Sequence, residues 1–120
     1  MKLTSKFKTA AGFTLVEIMI VVAIIGLLAA IAIPNFVKAR TLSQKNACIA
    51  NLKQIDGAKA TWALEQKKVT GDTVTDSDLF GSSAYIRDKP LCPGGGTYTL
   101  DVVGTKPSCS LSASPDLHSL

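Results

Sequence analysis

The sequence predicts an α+β protein in which one long N-terminal helix packs on a small C-terminal β-hairpin. The first observation is an apolar run from Phe13 to Ile33 that carries a single charge, Glu17. The second is a helical pattern from Asn35 to Lys68, which contains no proline and one glycine. The third is a change to strand-forming residues between glycine-rich turns near the C-terminus.

The apolar run has the length of a membrane span. Its 21 residues extend about 31 Å as a helix, and a bilayer has a hydrocarbon core of about 30 Å. The run is apolar on all sides, which predicts a helix embedded in lipid or in protein. Pro34 follows and lacks an N–H, so we expect a kink where its ring meets the carbonyl of Ala30.

Residues 35–68 predict an amphipathic continuation of the same helix. Its apolar positions recur at helical spacing, and its charged positions fall between them. A single helix half in water cannot bury such a stripe alone, so residues 69–120 must cover it. The apolar positions are Cys48, Leu52, Ile55 and Trp62. The charged residues expected on the wet side are Lys45, Lys53, Asp56, Lys59 and Lys67.

The covering region predicts a loop, a short helical turn and a hairpin. Thr75 stands three residues before Asp78, which is the spacing of a capping box. Residues 97–103 have strand propensity, and the glycines at 94–96 and the segment at 104–107 indicate turns. A second strand around 108–111 completes the hairpin. The triple glycine lacks the spacing of a phosphate-binding loop, so we interpret it as a turn.

The positive charge of the chain is concentrated at its start. Thirteen basic and nine acidic residues give a net charge of +4, and three of the lysines precede Phe13. Without them the balance falls to about +1, so net charge gives no support for nucleic-acid binding. Those three lysines are Lys2, Lys6 and Lys8.

The start of the apolar run carries a specific motif. Small residues at 10–12 precede the run, whereas a secretory signal peptide has its cleavage site after the run. Gly12-Phe13-Thr14-Leu15-Val16-Glu17 with the following apolar run resembles the class III signal of type IV pilins and type II secretion pseudopilins. "CPGGGTYTL" and "KPSCS" also resemble the C-terminal region of short pilin-like proteins. The resemblance implies that a prepilin peptidase cleaves between Gly12 and Phe13 and N-methylates Phe13.

The resemblance also implies a pilin-like fold and an organisation in four parts. Residues 1–12 form a cleaved basic leader, 13–34 a transmembrane and filament-core helix, 35–68 its amphipathic continuation, and 69–120 a C-terminal loop and β region. Basic residues flank both sides of the span, so charge does not indicate its orientation. The resemblance implies a cytoplasmic N-terminus and a periplasmic C-terminal domain. Expected partners are other copies in a helical filament, the prepilin peptidase, the inner-membrane assembly platform with its ATPase, and minor pilins or pseudopilins.

Glu17, the one charged residue of the apolar run, is the main candidate for a functional residue. A charge in the bilayer costs about 2.5–3.5 kcal/mol on insertion scales. Cleavage would create an amine at Phe13, one helical turn from Glu17. The carboxylate would meet its own amine in the membrane and that of a neighbour in the filament, where the pair would select one axial register. The alternative is an interfacial glutamate favoured by the helix dipole.

The three cysteines are an odd number for an oxidising compartment. Cys92 and Cys109 bracket the predicted hairpin, and a disulfide between them would stabilise by about 3 kcal/mol on the chain-entropy model. Cys48, on the apolar face of the helix, is expected to be a free buried thiol. Zinc ligation by the cysteines and His118 is an alternative, but without paired ligand spacing we predict no metal site.

No arrangement of residues in the sequence indicates catalysis, so we predict a structural subunit rather than an enzyme. Calcium binding with Asp101 or Asp116 as ligands is a minor alternative without EF-hand-like spacing. Two further alternatives stay open: a minor pilin with an adhesin or DNA-uptake role, and a single-pass anchor that never polymerises. The sequence does not distinguish a pilus from a secretion pseudopilus or a competence filament.

Overall fold

The computed structural model describes residues 11–113 and 117–120. Its elements are helices α1 (Leu15–Glu65) and α2 (Asp76–Leu79), followed by strands β1 (Tyr98–Thr99) and β2 (Ser108–Cys109). The chain divides into two compact units at Val37 and Lys38, which are described separately. The fold is the predicted one: a long N-terminal helix whose part in the second unit packs against a small antiparallel sheet.

In the first unit, α1 begins at Leu15 and is helical through Pro34. Among the described residues, α1 is the one helix long and apolar enough to cross a membrane. Its large apolar side chains are exposed, as a membrane-embedded segment requires. The kink at Pro34 stays a prediction. The lysines of the predicted leader lie outside the described residues.

In the second unit, α1 buries one stripe of side chains. The predicted apolar positions all belong to it, and three of them are fully buried: Cys48, Leu52 and Ile55. The stripe also contains Lys59, which is 3% exposed, so its prediction as a wet-side residue was wrong. Its ammonium donates to the carbonyls of Leu100 (2.6 Å), Val102 (3.2 Å) and Thr105. Helical spacing placed Lys59 on the core side, and three backbone acceptors make that position tolerable for a charge.

The helix ends at Glu65, three residues before the expected limit at Lys68. Lys67 has a left-handed backbone with φ 53°, which closes the helix. The N–H of Lys68 then donates to the carbonyl of Ala63 at 2.8 Å, as in a Schellman-type end.

The hairpin has the predicted order but shorter strands. β1 and β2 are antiparallel, with Tyr98 opposite Cys109 and Thr99 opposite Ser108. Strand propensity continues to residue 103, but β1 ends at Thr99 because the chain turns at Asp101, where φ is 55°. The carbonyls beyond the strand are bound by Lys59 instead of a partner strand.

The predicted capping box is confirmed at the start of α2. The backbone N–H of Thr75 donates to Oδ2 of Asp78 at 2.8 Å, and the hydroxyl of Thr75 donates to the same oxygen at 2.7 Å. This turn places Leu79, which is fully buried, into the core. A parallel bridge between Phe80 and Ile86 then closes the following loop.

Candidate functional site

The motif at the start of α1 forms a closed set of local hydrogen bonds. The backbone N–H of Thr14 donates to Oε2 of Glu17 at 2.7 Å. In return, the N–H of Glu17 donates to the hydroxyl of Thr14 at 3.2 Å. Thr14 therefore caps α1, and Glu17 completes a capping box. The carboxylate is held close to the backbone that follows Phe13, whose side chain is 86% exposed.

Sequence reasoning assigned Glu17 a role but missed its local partner. A Ser or Thr three residues before a Glu, directly ahead of an apolar run, is itself a sequence signal for a helix start. The expected amine of Phe13 lies on the same short segment, one residue before Thr14. Without that amine, the carboxylate already has a partner within its own chain, the N–H of Thr14.

Beyond this box, α1 presents apolar side chains on all sides. Leu15, Leu27 and Ile31 are 78%, 69% and 69% exposed. A soluble protein rarely leaves so large a contiguous apolar surface in water, so this segment needs lipid or other helices around it. Glu17 is the acidic residue at the start of this surface.

A second group of side chains comes together in the core of the other unit. The sulfur atoms of Cys48, Cys92 and Cys109 and a ring nitrogen of His118 all lie within 4.8 Å of one another. All four residues are buried. No ligand spacing in the sequence indicates this group, because its members come from α1, a loop, β2 and the C-terminal tail, which only the tertiary fold brings together.

The cysteines are free thiols in the structure. The predicted disulfide between Cys92 and Cys109 is therefore not confirmed and stays a prediction. Their sulfurs are close to each other, but both are also close to Cys48, so proximity does not single out one pair. Sequence reasoning set His118 apart as a tail residue, whereas it is 2% exposed and contacts Cys92.

Asp101, one of the two predicted calcium ligands, does not belong to such a group. A carboxylate oxygen of Asp101 accepts a hydrogen bond from the hydroxyl of Ser108 at 3.3 Å. Asp116 lies outside the described residues. Of the residues that the structure describes, the group around Cys48 is the one that gathers several candidate metal ligands, and it contains no carboxylate.

An apolar N-terminal helix that continues into an amphipathic half on a small sheet defines a class of membrane-anchored, pilin-like proteins. The family description "Prokaryotic N-terminal methylation motif" matches residues 7–33. This range contains the predicted cleavage site and Glu17.

Individual relatives extend the match beyond this motif. The chain is 34% identical over 84 residues to competence protein ComGC of Bacillus subtilis, covering 70% of this chain and 82% of that protein. It is 27% identical over 101 residues to type II secretion system core protein G of Klebsiella michiganensis, covering 74% and 71%. It is 51% identical over 57 residues to the type IV major pilin protein PilA of Myxococcus xanthus, covering 48% and 26%.

The chain belongs to the family of type IV pilins and type II secretion pseudopilins. Its relatives are structural pilins and pseudopilins rather than enzymes. The chain spans between 26% and 63% of the length of three pilins and fimbrial proteins that it matches. No solved structure matches the chain.

Proposed function

We propose that this chain is a filament subunit that is processed at the inner membrane and polymerises through the first half of α1. The observation that carries the proposal is the exposed apolar helix that begins with the Gly12–Glu17 motif. Lipid would cover this surface in the membrane, and the same helices of neighbouring subunits would cover it in a filament. The C-terminal unit would lie in the periplasm and then on the filament.

The capping box suggests how Glu17 serves both states. In the membrane, its carboxylate accepts a hydrogen bond from the N–H of Thr14, which compensates part of the cost of its charge. After cleavage, the new amine of Phe13 would offer a stronger partner of opposite charge. In the filament, a neighbour's amine would take that role, and an unpaired carboxylate in the apolar core would penalise every other register.

Glu17→Gln separates this role from helix capping. Glutamine also completes a capping box, so the start of α1 should survive the substitution. A neutral side chain should also insert at lower cost. We expect normal levels of inserted monomer and a loss of filaments, measured side by side by membrane fractionation and by electron microscopy of sheared filaments.

Thr14→Ala is the matched control, because it removes the other half of the capping box and leaves the charge in place. It should retain filaments. Normal filaments from Glu17→Gln alone would reject the register role and leave Glu17 as a helix cap. Loss of filaments in both variants would assign the effect to the helix start.

Processing is tested by the mass of the mature protein. We expect the chain to begin at an N-methylated Phe13, and replacement of Gly12 should block this cleavage. A non-polymerising anchor would be indifferent to that replacement. A minor pilin with an adhesin or DNA-uptake role remains the alternative, and localisation of the protein to the filament tip would favour it over a major subunit.

A further inference from the structure

Four side chains with soft or borderline ligand atoms share one buried site in the C-terminal unit. We propose that Cys48, Cys92, Cys109 and His118 bind a zinc ion in tetrahedral geometry. The inference goes beyond the proposed function and does not depend on filament formation.

The distances fit a single ion. Zinc binds cysteine sulfur at about 2.3 Å and histidine nitrogen at about 2.0–2.1 Å, which separates ligand atoms in a tetrahedron by about 3.5–3.8 Å. The Sγ atom of Cys92 lies 3.4 Å from Nδ1 of His118. No pair among the four ligand atoms is more than 4.8 Å apart, so small side-chain movements are enough to complete the site.

The chemistry of the ligands selects the metal. Three thiols and one imidazole without a carboxylate favour zinc over calcium or magnesium, which prefer oxygen. A site of three cysteines and one histidine with little solvent access is typical of structural zinc. The four residues are between 0% and 6% exposed, which leaves little room for the open position of a catalytic site.

The glycine-rich loop shapes one side of this site. A Cβ atom added at Gly96 would lie 2.6 Å from Sγ of Cys109, and one at Gly94 would lie 3.0 Å from Cε1 of His118. Side chains at these two positions would push the ligands apart. The loop, which the triple glycine predicts as a turn, therefore also permits the close approach of ligands.

Hydrogen bonds to the sulfur atoms supply an outer shell. The Cys92 sulfur has backbone hydrogen bonds from Gly96 and Gly94, and side-chain hydrogen bonds with Cys48 and His118. Tyr98 hydrogen-bonds to Cys48, and its hydroxyl accepts a hydrogen bond from Asn51 at 3.1 Å. Donors aimed at sulfur stabilise thiolates, and such partners orient metal ligands.

A zinc ion would use all four side chains of this group, whereas a disulfide would use only two. A disulfide between Cys92 and Cys109 would leave the Cys48 thiol and the His118 ring buried without a shared partner. A bound zinc ion would displace the thiol protons to solvent and use all four side chains.

The site would also fasten the C-terminal tail. His118 lies in the segment 117–120, and its N–H donates to the carbonyl of Leu111 at 3.0 Å. One ion would join α1, the glycine-rich loop, β2 and this tail. Small domains with limited cores often depend on such cross-links.

The test uses the full chain, purified in detergent without chelators. We expect about one zinc ion per chain by elemental analysis, and an X-ray absorption spectrum with three sulfur ligands near about 2.3 Å and one nitrogen. Cobalt substitution should give the intense visible bands of a tetrahedral thiolate site. Chain that contains no zinc, takes up none when zinc is supplied and carries a disulfide would overturn the proposal.

His118→Ala tests the ligand set near the chain end, where it should leave the fold intact. Zinc affinity, measured by competition with a chromogenic chelator, should fall at least about 10-fold, since even outer-shell partners contribute that much. Ser119→Ala is the matched control and should retain wild-type affinity. Trp62 fluorescence reports whether each variant is folded. Folded His118→Ala with unchanged zinc affinity would overturn the four-ligand site.

Discussion

The two halves of α1 share one helical backbone, but their apolar side chains are packed differently. Up to residue 33, the side chains are apolar on every face and exposed, Leu27 at 69%. In the second half, one stripe is buried, with Leu52 and Ile55 at 0% exposure. Helix formation therefore does not distinguish the two halves. The halves differ in what covers their apolar side chains. Residues of the same chain cover the second half, whereas the first half needs lipid or other helices around it.

The cover of the second half is held by polar contacts as well as by apolar ones. The side-chain amide of Gln44 donates to the carbonyl of Pro93 at 3.3 Å, and that of Asn51 donates to the carbonyl of Leu91 at 3.2 Å. Lys59 binds three further carbonyls beyond β1. These side chains of α1 fasten loops whose strands are only two residues long. The first half has no counterpart to these contacts in the described residues.

Replacing one leucine by alanine in each half should give the largest difference in stability between the two halves. Leu52→Ala should lower the free energy of unfolding of the C-terminal unit by about 2–5 kcal/mol, because it leaves a cavity in a packed core. Leu27→Ala, the matched change on the exposed segment, should alter it by less than about 0.5 kcal/mol. Denaturant titration of the detergent-solubilised chain, followed by Trp62 fluorescence, measures both. Equal losses would show that the first half also supports this core.

Removal of the buried ammonium should have the next largest effect. Lys59→Met keeps most of the side-chain length but leaves the carbonyls of the loop beyond β1 without their donor. We expect a loss of about 1–3 kcal/mol, since burial lowers the pKa of Lys59 and so offsets part of what its hydrogen bonds contribute. Lys53→Met, at an exposed position of the same helix, is the control. If Lys59→Met is as stable as wild type in the same titration, the contacts only position the loop.

Much of this contrast is predictable from sequence because it rests on periodicity. Hydrophobicity on all sides predicted the first half, and the recurrence of Cys48, Leu52 and Ile55 predicted the buried stripe of the second. Lys59 was misassigned because residue type was given more weight than spacing. The meeting of His118 with three cysteines was not predictable, since it depends on the path of the tail and not on any local pattern. Thr14 could have been found, because its capping-box spacing is local.

The smallest expected effect concerns the capping box at α2, which gives the C-terminal unit a pH dependence of its own. Hydrogen bonds from the hydroxyl and the backbone N–H of Thr75 lower the pKa of Asp78 below its usual 3.8. A lowered pKa in the folded state means that the carboxylate stabilises the fold above pH 3.8, and that this contribution is lost as the pH falls through the lowered value. Asp78 is only partly buried, so solvent screening limits the contribution to about 0.5 kcal/mol. Asp78→Asn should therefore be slightly less stable than wild type at pH 6, and the difference should shrink below about pH 4. Asp88→Asn, at an exposed position, controls for the general loss of one negative charge. Parallel denaturant titrations across this pH range measure the difference, and a gap between Asp78→Asn and wild type that stays constant down to pH 3 would contradict the assignment.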